Sequence, residues 1–248
     1  MILVIDCGNS YSNLAIFNDN KIVSKFSLSS DKLKLKNVLV DLINDQTILD
    51  AINKVIISSV IPSYNKILLS LAKSVCNNVF FIEDILTKID IGFEVDNVKE
   101  VGSDRIVNSF YAAEVIKDNC IVIDFGTATT FDFISKSRVY LGGLIMPGIR
   151  LSLESLAEKT EKLNNVKFTA FDELIGKNTS DAIRAGILYG NLGTINYVYD
   201  RSDEVFNSKP RIVATGGFGS IITQNSKIIE FYDPDLTLKG MCLIAQKI

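Results

Sequence analysis

Two stretches of this chain carry the same order of apolar and polar positions, one near the start of each half. Residues 2–10 read ILVIDCGNS and residues 121–129 read IVIDFGTAT. Each begins as a run of β-branched and aliphatic side chains with no polar alternation, which predicts a strand buried on both faces. Each run closes with Asp, one spacer, Gly, and small hydroxyl or amide residues. The segments after the two turns are also alike: NLAIF, a polar NDN turn and KIVSKF in one case, TFDFI, SKS and VYLGGLI in the other. Asp6 and Asp124 stand close to half of the 248 residues apart. A strand, an acidic turn and a hairpin, written twice, predict an α/β protein of two related halves facing one another across a cleft. The boundary falls near Asn119, giving halves 1–118 and 119–248.

Between these repeats the periodicity predicts mostly helices. Leu35, Val38, Leu39, Leu42 and Ile43 share a helical face, and Ser63 opens a helix with Ile67, Leu68, Leu71 and Val75 inward. Lys54–Val60 and Asn78–Glu83 read as strands, followed by a less regular stretch to Val101 and a helix from Ser103 to Lys117. In the second half, GGLIMPG closes the hairpin and breaks into a helix through Ala157. A long helix runs from Thr179 to about Tyr199. RIVATGG and KIIEFY are strands, and the last helix begins after Pro234 and ends near Gln246.

The repeated turn has a chemistry. Its strand delivers Asp to the carboxyl edge of a buried sheet, and Gly8 and Gly126 allow approaches that a Cβ would forbid. Asn9, Ser10, Thr127 and Thr129 offer amide, hydroxyl or main-chain donors to phosphate oxygens. The two carboxylates repel phosphate but can hold cations that neutralise it. A hairpin after the turn argues against dinucleotide and P-loop sites, which need a helix there, and neither glycine signature occurs.

Composition narrows the options. Apolar residues make up 47% and charged residues 22%, as expected of a soluble globular protein. A net charge of −3 gives no reason to expect a nucleic-acid partner. Cys7, Cys76, Cys120 and Cys242 form no C-x-x-C pair and read as reduced thiols of a cytoplasmic protein. The N-terminus lacks a signal-peptide pattern, and no apolar run is long enough to span a membrane. Histidine is absent, which excludes every His-based triad and leaves Asp, Glu, Lys, Cys or Tyr for proton transfer.

Three further segments each support two readings. In GSDR (Gly102 to Arg105), Asp104 is either catalytic or a first-turn carboxylate behind a Ser103 cap. In NTSD, Asn178 or Thr179 is a cap or a ligand contact. In ATGG, Gly216 and Gly217 form a tight turn or let an adenine or ribose lie flat against the backbone.

Taken in order, DCGNS, GSDR, DFGTATTFD, GGLIMPG, NTSDAIRAG, ATGG and PDLTLKGM resemble the type III pantothenate kinases, of the actin and sugar-kinase superfamily. The resemblance runs through almost the whole chain and implies actin-like (ribonuclease H-like) halves, each a mixed sheet flanked by helices. It implies phosphorylation of pantothenate by ATP and Mg2+, with K+ or NH4+ as a monovalent cation, in a homodimer. It implies that ATP meets the Asp6 loop (Asp6, Cys7, Gly8, Asn9, Ser10, Tyr11, Ser12, Asn13), Thr127, Gly216 and Gly217. It further implies that pantothenate meets Gly102, Ser103, Asp104, Arg105 and Thr179, with Asp104 as base and Asp124 at the cation. The family's usual Tyr-x-Asn-Pro ahead of GxDR is VDNV here, Val95 to Val98. Two other readings are a non-catalytic regulatory factor of this fold, and a kinase of another small alcohol or acid.

Overall fold

A computed structural model describes residues 1–31, 37, 46–158 and 166–248 of the chain. The helix predicted on Leu35 to Ile43 lies outside the described residues. By their internal contacts the residues form two units, Met1–Val115 with Asp235–Ile248, and Ile116–Pro234.

In the first unit β1 (Ile2–Cys7) is the central strand of five, in the order β3-β2-β1-β4-β5. Its antiparallel neighbour is β2 (Tyr11–Asn18), which pairs in turn with β3 (Lys21–Ser29). On its other side lie the parallel strands β4 (Lys54–Ser59) and β5 (Val79–Phe81). Side chains of a strand alternate between faces, so both faces of β1 must be covered. Leu3, Ile5 and Cys7 pack on α2 (Pro62–Val75) through Leu68, Ala72 and Val75. Val4 joins Ile106, Val107 and Phe110 of α3 (Ser103–Tyr111), with Leu238, Met241 and Ile244 of the last helix, Leu236–Lys247. A short helix α1 (Gln46–Ala51) precedes β4.

The second unit repeats this order. β7 (Cys120–Phe125) pairs antiparallel with β8 (Ala128–Ile134), which pairs with β9 (Val139–Pro147). β10 (Arg211–Thr215) and β11 (Phe231–Tyr232) run parallel to β7 on its other side. The helices are α4 (Ile149–Glu158), α5 (Thr179–Arg201), α6 (Asp203–Phe206) and α7 (Gly219–Asn225), before the closing α8 (Leu236–Lys247). Hairpin, acid-bearing strand and two parallel strands thus recur in both sheets, as the repeated motif predicts. Asp6 and Asp124 each occupy the carboxyl end of the central strand.

Three elements depart from expectation. The strand predicted on Asn78–Glu83 stops at Phe81 and turns into a 3-10 helix, Ile82–Lys88, which buries Ile82 and Ile85 three residues apart. Between it and α3 come the two-residue strand β6 (Gly92–Phe93) and a 3-10 turn, Val98–Glu100. The helix predicted to Lys117 is α-helical only to Tyr111 and continues as a π-helix over Ala112–Ile116. Lys117, left-handed at φ 58°, ends it. KIIEFY is a strand only at Phe231–Tyr232, because the Ser226 hydroxyl accepts from the Ile228 and Ile229 amides and turns the chain first. No described helix is long and apolar enough to cross a membrane.

Candidate functional site

The Asp6 turn is built from β1 and β2. Gly8 donates to the Tyr11 carbonyl at 3.0 Å, and a Cβ on Gly8 would lie 2.9 Å from that oxygen. Ser30, beyond β3, fastens the turn from below by donating to the Gly8 carbonyl, while its hydroxyl meets that of Ser12 at 2.9 Å. Cys7 and Ser12 are buried, and Ser12 donates to the Cys7 sulfur at 3.5 Å. Burial raises the Cys7 thiol pKa, with the Ser12 hydrogen bond opposing, so the residue stays a neutral part of the floor. Asp6, Gly8 and Ser10 keep partial exposure, and Asn9 and Tyr11 are exposed. The surface of the predicted ATP loop is therefore Asp6 and Gly8 to Tyr11, with Asn13 half-buried on β2. Ser12 supports it from inside. Ser30 carried no signal in the sequence, since its partner is a main-chain oxygen 22 residues away.

GSDR begins α3, but not in the way a cap would predict. Gly102 occupies the cap position and offers no side chain. Ser103 is inside the helix and buried, with its hydroxyl 3.0 Å from that of Ser58 at the end of β4. That contact ties the start of α3 to the strand beside β1. The Asp104 carboxylate folds back over the first turn, accepting from the Arg105 amide at 2.8 Å. A Cβ on Gly102 would lie 2.5 Å from Asp104 Oδ1, so the glycine makes room for the acid. Asp104 keeps a little accessible surface, yet burial raises its pKa above the ordinary 3.8. The Arg105 amide and guanidinium oppose that rise without cancelling it. A cavity of about 520 Å³ adjoins this turn, lined among others by Val60, Glu83, Val98, Lys99, Gly102 and Ser103. Val98 stands in its wall where the family has Pro. The Asn97 side chain accepts from the Lys99 amide at 3.1 Å and donates to Glu100 at 2.8 Å. Those two bonds restrain the loop that a proline would otherwise stiffen.

In the second unit, Asp124 is half-buried beside two glycines. A Cβ would lie 3.5 Å from its Oδ1 on Gly126 and 2.5 Å on Gly216. Gly216 has φ +86°, open to glycine and strained for other residues. Thr127 is exposed at the tip of the β7–β8 turn, whereas Thr129 is fully buried, its hydroxyl directed away from solvent. The alternation of β8 decides between the two, so Thr129 is not a phosphate donor. Asp132, the last acid of the motif, is likewise buried and accepts from the Tyr140 hydroxyl at 3.1 Å. It clamps β8 to β9. Gly148, closing GGLIMPG, donates to the Thr127 carbonyl at 3.1 Å and backs the turn.

Gly217 is exposed next to Gly216. At α5 the two readings of NTSD separate. Asn178 is the cap, accepting from the Asp181 amide at 3.0 Å, which leaves Thr179 exposed and free of that duty. The first unit thus carries Asp6 to Asn13 and Gly102 to Arg105; in the second, Asp124 and Gly216 stand together, with Thr127 and Gly217 next to them along the chain and Thr179 at the start of α5.

The glycine cradle suits a cation. Its one carboxylate, Asp124, stands against the Gly126 and Gly216 backbone, a single negative charge of the kind an oxygen-ligated cation of low charge takes. Among the described residues no three His, Cys, Asp or Glu side chains cluster as a transition-metal site would.

Solved structures share this architecture. A Campylobacter jejuni protein assigned to the Baf family of transcriptional activators superposes with a TM-score of 0.62 at 21% identity, over 99% of this chain and 98% of that one. The (R)-2-hydroxyglutaryl-CoA dehydratase component A of Acidaminococcus fermentans does so at 0.58 and 14%, over 98% and 95%. At such identities the likeness is one of fold. Sequence goes further. A type III pantothenate kinase of Bacillus cytotoxicus is 33% identical over 100% of this chain and 96% of its own length. One from Citrifermentans bemidjiense is 35% identical over 100% and 99%. The sequence model of that family matches residues 2–201. With its acids and glycines in the family's order, the chain belongs to the type III pantothenate kinases.

Proposed function

We propose that this chain transfers the γ-phosphoryl group of ATP to the primary hydroxyl of pantothenate, giving 4′-phosphopantothenate and ADP at the entry to coenzyme A synthesis. The observation that carries this reading is Asp104: a carboxylate at the start of α3, given room by Gly102, in a turn whose Gly102 and Ser103 line a cavity of about 520 Å³. The hydroxyl oxygen forms a bond to the γ-phosphorus as the bond to the β-phosphate oxygen breaks. Asp104 accepts the hydroxyl hydrogen bond, orients the alcohol, and takes its proton late in a loose transition state. In the first unit Asp6, Gly8 to Tyr11 and Asn13, on the floor of Cys7 and Ser12, are the nucleotide contacts; in the second unit they are Thr127, Gly216 and Gly217. Gly102, Ser103, Arg105 and Thr179 hold pantothenate. Mg2+ accompanies ATP and neutralises charge on its phosphates. Incubation with ATP, Mg2+, K+ and pantothenate is expected to yield 4′-phosphopantothenate by mass spectrometry. Absence of product at saturating substrates rejects the reading, and turnover of another alcohol in its place would mark a different kinase of the fold.

The Asp124 cradle belongs to the same proposal as the site of K+ or NH4+. Rates in K+ and NH4+ are expected to exceed those in Na+ at matched ionic strength. Equal rates in all three would remove the cation from Asp124. A homodimer and a cytoplasmic location complete the proposal. Leu144, Ile145 and Tyr197 are exposed on the second unit, and Gly186, Gly190 and Gly193 leave open space along α5, as a surface that meets another copy would.

A further inference from the structure

Tyr232 lies outside every motif that carries the family's chemistry, yet it controls the shape of one. Its hydroxyl donates to the Gly216 carbonyl at 2.9 Å. Its ring packs over the start of α7, where a Cβ on Gly219 would lie 2.4 Å from it. Its backbone is held in turn, because Tyr232 pairs with Ala214 across β10 and β11, and the next amide, Asp233, donates to the Ala214 carbonyl at 2.9 Å. The residue it grips is itself tightly constrained. Gly216, at φ +86°, presses its Cα face against the Asp124 carboxylate and the Phe125 backbone, where a Cβ would find atoms at 2.5 and 2.6 Å.

We propose that Tyr232 is a positioning residue for nucleotide binding: its hydroxyl holds Gly216 in the left-handed turn that lies flat beside Asp124 and presents Gly217. The inference rests on the reading of Gly216 and Gly217 as nucleotide contacts. Tyr232 touches no substrate. It acts by removing the freedom of the Gly216 peptide to rotate, so that ordering the turn costs nothing more when the nucleotide arrives. It does so together with the Gly219 amide, which donates to the same carbonyl at 3.1 Å; glycine's own backbone is the least restricted of any residue.

Tyr232→Phe is the test, since it keeps the ring over Gly219 and deletes only the hydroxyl. The loss of one such hydrogen bond is expected to weaken ATP binding roughly tenfold, measured by calorimetry without acceptor, and to raise the KM for ATP in proportion. The KM for pantothenate and the melting temperature of the free protein are expected to stay near those of the parent. An unchanged ATP affinity overturns the inference. A general fall in stability with both KM values rising together also overturns it, by making Tyr232 a packing residue only. Failure of the parent protein to bind ATP at all would instead reject the nucleotide reading of the turn, and the inference with it.

Discussion

Asp104→Asn is expected to lower kcat at least about a hundredfold while the protein keeps its fold and its affinity for ATP. Asparagine preserves shape and can still accept from the Arg105 amide, so what is lost is the negative charge and with it the proton acceptor. A first-turn carboxylate serving merely the helix dipole would cost roughly 0.3–1 kcal/mol of stability and leave kcat intact. The structure sharpens the contrast, because Gly102 holds the cap position and makes room for the carboxylate instead of capping with a side chain. Burial also sets the sign of two pH effects. The ionised form is the working one, so kcat is expected to rise with pH on an acid limb displaced above the ordinary Asp value of 3.8. A carboxyl whose folded pKa is raised binds its proton more tightly when folded. Its stability contribution is therefore present below the ordinary value and lost as pH rises through the raised one. Relative to the parent, Asp104→Asn is thus expected to gain stability with rising pH across that window. A variant that keeps most of its kcat would return Asp104 to a structural part, and a flat acid limb would deny it the base role.

The second large effect is expected at Gly148, which no chemistry singles out. An alanine Cβ there would lie 2.3 Å from the Thr127 carbonyl oxygen, 2.5 Å from that of Gly126 and 2.8 Å from the Thr127 carbonyl carbon. All three are backbone atoms, so no side-chain rotation relieves the contact. Either the β7–β8 turn or the start of α4 must move, at a cost of about 1–3 kcal/mol. Displacing Gly126 and Thr127 by even an ångström is enough to lower kcat/KM for ATP by about two orders of magnitude. Gly148→Ala is therefore expected to remain folded by circular dichroism, to melt several degrees lower, and to lose most of its turnover. Activity within threefold of the parent would show that the turn tolerates the shift and that its position is not what the transfer needs.

The two effects bear differently on the non-catalytic alternative. A regulatory factor of this fold would need the Thr127 turn for nucleotide, and so would respond at Gly148. It would have no use for an ionised, desolvated carboxylate at Asp104, which costs free energy to bury.

How much was legible in the residue string depends on the range of the interactions involved. The central strands, their hairpins and the position of each Asp at a strand end were readable, because they rest on local periodicity and turn chemistry. The equivalence of the halves came from the same two stretches, and the sheet orders repeat it. The family likeness was legible for the same reason: its motifs are short and each sits on one turn. Choices between neighbours inside a motif were not. Thr127 and Thr129 are the same residue type two positions apart, and only the packing of β8 buries one and exposes the other. Ser103 reads as a cap until Ser58, 45 residues earlier, takes its hydroxyl. The closing helix is contiguous with the second half in sequence, yet its internal contacts group it with the first unit, where Leu238, Met241 and Ile244 cover the face of Val4. Ser30 and Tyr232 gave no signal because each acts on a main-chain atom, and a backbone oxygen is the same in every residue. Strand ends and turn chemistry are local and are spelled in order along the chain; which side chain braces which turn is decided by contacts between distant segments, and those exist only once the sheets have formed.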